Sequence, residues 1–343
     1  MKKSLIALAA LATVATAAQA QSNVTIYGVI DTGYARVSNT TVDKSVSGLA
    51  NGGLSTSRLG FRGVEDLGGG LKANFGLEAE FLADNGSQAS TAEALFARES
   101  SVGLSGNFGD VKLGRVNQFG YALLAKFDAF GGNNVGGAVA TGQRQARSEN
   151  TIQYVTPKFN GIQAGIQTGT RTSSTTATYG EVAGEASGNR TNSYFVSYDQ
   201  GPLELAYVYS DERDVAGDKY RDFNTAFARY NFGVARVVLG YVQQNIDRKT
   251  AAASTTQANN TSSTTFGATD SRETQKLFLG VNVPVNAQVT INGQVEQIEY
   301  KLENGTKRKP TVYTLGANYA FSKRTTAYAI YARANQDNGS AQD

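Results

Sequence analysis

Glu78 and Glu80 stand two residues apart in a segment that alternates apolar and polar side chains, so both carboxylates fall on one strand face. Paired carboxyls are the equipment of glycoside hydrolysis, one donating a proton while the other attacks or activates water. The same pair also reads as plain charge on a wetted surface, and the rest of the chain favours that reading. Histidine is absent, which removes the usual general base of a serine hydrolase or protease. The glycine-rich run Gly131–Gly142 has no Lys-Ser or Lys-Thr pair to make it a phosphate loop. Cysteine is absent too, so no disulfide framework is available. No catalytic residue, metal or cofactor is expected. The charged residues that remain notable are arginines. Arg58 and Arg62 share a face with Gly60, while Leu59 and Phe61 point the other way.

Strands must position these side chains. From Leu71 to Phe81, Leu71, Ala73, Phe75, Leu77, Ala79 and Phe81 take one face and Lys72, Asn74, Gly76, Glu78 and Glu80 the other. That is period-two alternation over the length a tilted membrane strand needs. Similar alternation runs through residues 203–210, 276–283, 288–296 and 313–321. Mean hydropathy is −0.32; barrels hide their lipid face in every second residue, so such a value does not argue against a membrane protein.

Seven short connections carry or adjoin turn residues: Leu67–Gly70, Asn107–Asp110, Pro157–Gly161, Asp199–Pro202, Asn231–Val234, Pro284–Ala287 and Phe321–Arg324. A long polar connection is expected between each pair, the one-sided asymmetry of outer-membrane barrels. Seven turns join fourteen strands, and Val24–Arg36 adds a fifteenth. Bacterial single-chain barrels have even counts, so a sixteenth is expected after Arg333. The fold class is therefore all-β: a transmembrane antiparallel barrel of sixteen strands, wide enough for an aqueous channel. Phe108, Phe159, Phe232, Tyr319 and Phe321 lie near strand ends and suit an interfacial aromatic girdle.

The N-terminus reads as a secretory signal. Lys2 and Lys3 precede an uncharged stretch from Leu5 to Ala15, and Ala18-Gln19-Ala20 offers a cleavage site. Residues 1–20 are set aside as a signal peptide, leaving 21–343 as one barrel domain. Formal charge is +3, of which Lys2 and Lys3 supply two units, so the mature chain carries +1. That near neutrality argues against nucleic-acid binding.

Several segments together resemble the Gram-negative general porins, especially their beta-proteobacterial branch. They are Val24–Asp31, Ser57–Ala73, Val102–Gly109 with Val111–Arg115, and Phe130-Gly131-Gly132-Asn133. The resemblance implies a sixteen-stranded trimeric barrel in the outer membrane whose third loop, here about 117–147, folds into the pore. It implies wall arginines at Arg58 and Arg98 and a further one at Arg115, with Arg144 and Arg147 near the loop's return and Asp128 on the loop. Arg62 joins this constriction set by alternation alone. Arg98 and Arg115 share parity with apolar neighbours. Either a bulge near Ser100 or Ser101 resets Arg98, or these strands line a subunit interface. Porins of this kind end on an aromatic-closed strand. Asn338–Asp343 instead reads as the start of a loop, so the closing strand is expected to be missing, with Val24–Arg36 and Thr325–Arg333 unpaired.

The function expected is passive diffusion of small hydrophilic solutes and ions, with weak anion preference. From Val111 to Ser148 the cations are Lys112, Arg115, Lys126, Arg144 and Arg147, against Asp128 alone. Expected partners are two further copies in a homotrimer, outer-membrane lipid and lipopolysaccharide, and solutes and anions in transit. The third loop is expected against the wall carrying Arg58. The alternative is a barrel acting as adhesin or structural protein through its outer loops, which would display residues 117–144 outward.

Overall fold

The computed structural model describes residues 23–39, 44–89, 94–131, 135, 137–138, 147–170, 190–213, 217–247, 271–302 and 305–335. Residues 1–22, and with them the expected signal peptide, lie outside the described residues, as does Arg144.

The chain enters through β1 (Asn23–Val29), a hairpin of β2 (Thr32–Asn39) and β3 (Lys44–Asn51), then β4 (Arg58–Gly68), β5 (Leu71–Glu80), β6 (Glu99–Gly106) and β7 (Gly109–Asn117). A helix, α1 (Phe119–Phe127), precedes β8 (Arg147–Val155), β9 (Ile162–Thr170), β10 (Arg190–Gln200), β11 (Leu203–Arg213) and β12 (Lys219–Asn231). The last strands are β13 (Arg236–Ile246), β14 (Ser271–Pro284), β15 (Val289–Leu302), β16 (Lys307–Arg308), β17 (Thr311–Ala320) and β18 (Thr326–Asn335). All but β2 and β3 form one 16-stranded antiparallel sheet whose neighbours follow chain order, the two-residue β16 hanging off β15.

All seven short turns expected from the sequence join paired neighbours. The expected aromatics cluster at that end: Phe108, Phe159, Phe232 and Phe321 are exposed beside the turns, with Tyr319 against Phe321 and Tyr230 against Phe232. Opposite, the expectation of a long loop between every pair fails once. β11 and β12 are joined by 214–218 alone, with an Arg213–Asp211 ion pair at the end of β11 and a Lys219–Asp222 pair at the start of β12.

The two sheet faces differ. On one, Ile26, Leu59, Val102, Leu113, Tyr207, Leu239, Leu277 and Leu315 stand exposed, strand after strand. The other is polar or covered by the segment after β7. In α1, Tyr121, Leu124 and Phe127 recur every third residue and make one apolar stripe. They pack on Ala206, Phe227, Val238, Val242 and Phe278 of β11–β14. Phe119 meets Phe195 on β10, and Ala129 and Phe130 reach Gly280 on β14 and Gly316 on β17. A segment that touches strands from β10 to β17 on one face requires the sheet to curl around it, with the exposed apolar face outward.

That placement departs from the expected one. The apolar side of the segment lies on the β10–β14 wall, across from Arg58. The cause is visible in the strands themselves: Val237-Val238-Leu239 and Leu277-Phe278-Leu279 are apolar on both faces, and the inner members need a cover.

The strand expected over Val24–Arg36 is interrupted at Ile30-Asp31. Asp31 is buried, and its carboxylate accepts the N–H groups of Gly53, Leu54 and Ser55 at 3.3, 2.8 and 2.6 Å. Its own N–H donates to Ser57 Oγ at 2.9 Å. Gathering these donors at one carboxylate turns the chain out of β1 into the β2–β3 hairpin. At the other end of the sheet, no backbone pairing joins β1 to β18 among the described residues. Tyr328 Oη donates to Asp31 Oδ1 at 2.5 Å, the side-chain contact that crosses this seam.

Candidate functional site

The inward residues of β1, β4, β5 and β6 follow from register. Tyr27 stands opposite Gly60, Gly60 opposite Glu78, Arg58 opposite Glu80, and Glu78 opposite Glu99. Gly60 is required by close approach, since a Cβ there would lie 2.4 Å from the Tyr27 ring. With that room, Tyr27 lies flat along the wall, donates from Oη to Glu78 Oε2 at 3.0 Å, and takes the Arg62 guanidinium over its ring at 5.1 Å.

Glu78 is the hub. Besides Tyr27 it meets Arg58 Nε at 3.7 Å and Arg98 Nε at 2.5 Å. Arg98 is buried, and its Nη1 donates to Glu80 Oε2 at 2.7 Å and to Thr56 Oγ1 at 2.8 Å. The Arg98 carbonyl accepts Arg147 Nε at 3.0 Å, and the Arg147 guanidinium sits 5.6 Å from the Tyr121 ring of α1. Arg58, Arg62, Arg98 and Arg147 are thus brought into one chain of contacts with Tyr27, Glu78 and Glu80. Lys112 joins its edge through Glu99 at 3.5 Å. Arg62 and Arg147 have no carboxylate partner among the described residues.

Arg98 reaches this inner group without a bulge. Pairing of β5 with β6 is continuous from Ser105 to Glu99. The strand begins only at Glu99, and Arg98 occupies a bend before it, where strand parity does not bind. Arg115 does sit at an irregularity: the β7–β8 register shifts between Gly114 and Val116, and Gly114 takes φ +122°. Arg115 stands opposite Ser100, on the face of Val102 and Leu113. Its Nε donates to the Ala97 carbonyl at 2.6 Å and its Nη1 pairs with Glu149. It is not part of the Glu78 group.

Asp128 is buried, and its Oδ1 accepts the Phe130 N–H at 2.8 Å, closing the turn that ends α1. Lys126, counted above among the loop cations, is engaged lower down. Its Nζ lies 2.7 Å from Glu204, which also receives a fork from Arg229 at 2.5 to 2.9 Å. Arg229 Nη1 in turn donates to the Lys126 carbonyl at 2.8 Å. Sequence reasoning missed Glu204 and Arg229, although both carry inward parity on β11 and β12, and their register pairs them directly. It also missed Tyr27 and Thr56 as site residues. A cation count along one stretch of chain could not see partners supplied by other strands.

The arrangement is a curved, water-facing sheet with a charged wall on one side and a packed loop on the other. Residues 7–339 match the family model described as Gram-negative porin. The chain belongs to the Gram-negative porin family. Among relatives of this porin, outer membrane porin protein 32 of Delftia acidovorans is 36% identical, over 97% of this chain and 89% of that protein. An outer membrane porin protein of Bordetella pertussis is 30% identical over 96% of this chain and 93% of its own length. The solved structure of an anion-selective porin from Comamonas acidovorans superposes with a TM-score of 0.70 at 33% identity, covering 92% of this chain and 90% of that one. A trimer form of OmpT from Vibrio cholerae has a TM-score of 0.64, 92% and 89% coverage and 14% identity, and so speaks for the fold alone.

Proposed function

We propose that this porin is a passive channel of the Gram-negative outer membrane for small hydrophilic solutes, weakly preferring anions and working as a homotrimer. The observation that carries the reading is the position of 119–130. Its apolar stripe covers the inner face of β10–β14, leaving the charged wall of β4–β6 across the remaining space. A narrow passage with fixed charge on one side needs no catalytic group, only water and a field.

The sign of the preference rests on Arg58, Arg62, Arg98 and Arg147 facing Glu78 and Glu80. Because both glutamates sit within the arginine group, the preference is weak. The anion-selective relative from Comamonas acidovorans supports the same sign, and the homotrimer is carried over from the family resemblance. The third loop, about 117–147, and Arg144 within it belong to the proposed constriction. On the outward face at the long-loop end, Arg213, Lys219, Lys301, Lys307 and Lys309 form a belt of ion pairs with Asp211, Asp222, Glu273 and Glu299. Glu299 holds the Lys307 ammonium above the usual lysine range. Contact with outer-leaflet lipid and lipopolysaccharide is part of the proposal, their phosphates competing with these carboxylates for the cations. Removal of residues 1–20 on export is part of the proposal. An adhesin would instead display 117–144, and the packing of α1 on the inner face weighs against that.

The test is reversal potential in planar bilayers under a potassium chloride gradient. Stepwise channel insertion with a modest anion-sided potential is expected, moving toward zero in Arg58→Ala. Cation preference in the native channel, or no channel steps at all, defeats the reading.

A further inference from the structure

The turn after α1 is held by the far wall in an unusual manner. Gln294 on β15 accepts the Ala129 N–H through Oε1 at 3.0 Å, and Asn282 on β14 donates from Nδ2 to the Ala129 carbonyl at 2.7 Å. Two side chains from neighbouring strands thus satisfy both main-chain polar groups of one loop residue, as a paired strand would. Each amide is oriented by a second partner: Gln294 Nε2 donates to Glu296 at 2.8 Å, and Asn282 Nδ2 also donates to Asn292 Oδ1 at 2.7 Å. Ala129, Phe130, Gln294, Asn292 and Glu296 are all buried.

Two glycines make the seat. A Cβ on Gly280 would lie 2.7 Å from Ala129 Cβ and 2.9 Å from Gln294 Oε1. A Cβ on Gly316 would lie 2.8 Å from the Phe130 ring. The inner wall is hollowed where the loop's two residues rest. Lys276 adds a third hold further along, donating to the Ala138 carbonyl at 2.6 Å.

We infer that Asn282 and Gln294, seated over Gly280 and Gly316, are positioning residues that clasp the third loop and so set the width and steadiness of the passage. The inference rests on the channel reading above. Without the clasp, the apolar stripe of α1 still holds the helix, but the turn beyond it is free to leave the wall and enter the lumen.

The experiment compares the wild-type chain, the Asn282→Ala/Gln294→Ala double variant, and Gly280→Ala, which keeps both amides and wedges the seat. Single-channel recording gives one readout. The other is a nitroxide on Val135→Cys, an exposed loop position in a chain with no native cysteine. Both altered chains are expected to show about tenfold more time in sub-conductance states, the effect of losing one or two net hydrogen bonds, together with a sharpened, more mobile nitroxide spectrum. Asn282→Ala alone is expected to fall between. If the double variant does not fold, Gly280→Ala and Asn282→Ala decide. Spectra and open-channel noise identical to wild type overturn the clasp. A wild-type chain that conducts nothing defeats the channel reading instead, and the nitroxide comparison still decides the clasp.

Discussion

Glu78 shows how one inward carboxylate organises several cations. It accepts from Tyr27 and Arg98 and lies 3.7 Å from Arg58 Nε, so the charge of both arginines is partly spent at the wall. Removing either sign should therefore move ion preference in opposite directions. Arg98→Ala takes one cation away and leaves Glu78 and Glu80 facing the lumen with less compensation, so the reversal potential should shift toward cations. Glu78→Gln keeps the shape and a hydrogen-bond acceptor for Tyr27 while deleting one negative charge, and should shift it toward anions. Equal shifts of the same sign in both variants would show that geometry rather than charge sets the preference. The arginines were legible by alternation for Arg58 and Arg62. Arg98 was legible only by resemblance, because a residue in the bend before a strand obeys no period. Tyr27 could have been found from its partner: a glycine between two arginines, with an aromatic residue directly opposite, makes room for a ring to lie across it.

The elements that place these side chains respond to different forces. Phe127 is buried in α1 and stacks on Phe227 at 5.0 Å between ring centroids. Phe127→Ala is expected to cost about 3 kcal/mol and to loosen the helix from its wall, read as a larger, noisier conductance at unchanged barrel assembly on cold gels. Asp31 acts on the other loop. Asp31→Ala strips acceptors from three main-chain N–H groups and from Tyr328. A loss of about 2 kcal/mol is expected, seen as a lower temperature of gel-mobility change and faster proteolysis within the β2–β3 hairpin. An unchanged digestion pattern would show that the hairpin is held by something else. The sheet itself was readable: turn chemistry located all seven short connections, and period-two alternation fixed the outward face. The break at Ile30-Asp31 was not, because β-propensity runs through it and the deciding interaction is with residues 53–55. The nine-residue helix was hidden for a similar reason. Its apolar stripe is short, and the strands that bury it lie 80 to 150 residues away in sequence.

Across the whole molecule, formal charge hardly departs from zero, so any selectivity must arise from local separation of charge rather than from a net field. Three clusters stand out among the described residues. On the β4–β6 wall the arginines face Glu78 and Glu80. Near the short-turn end Lys126, Lys158 and Arg229 are matched by Glu204 and Asp199. At the outer rim Arg213, Lys219 and Lys301 are matched by Asp211, Asp222 and Glu273. The second and third are close ion pairs, the second with three cations to two carboxylates, while in the first Arg62 and Arg147 stand without carboxylates among the described residues. The field of the first cluster lies along the passage, where low-dielectric walls concentrate it. Salt distinguishes such a field from a binding site. The screening length is about 10 Å at 0.1 M and about 3 Å at 1 M, the first comparable to a channel radius and the second far shorter. Anion preference measured by reversal potential at a fixed gradient ratio should therefore fade toward none as mean salt rises from about 0.1 to 1 M, and fade less steeply in Arg58→Ala, which starts from a smaller value. A permeability ratio that holds constant to 1 M would mean that anions are chosen by direct coordination to particular guanidinium groups. In that case Arg62 and Arg147, the two without carboxylate partners, would be the first positions to substitute.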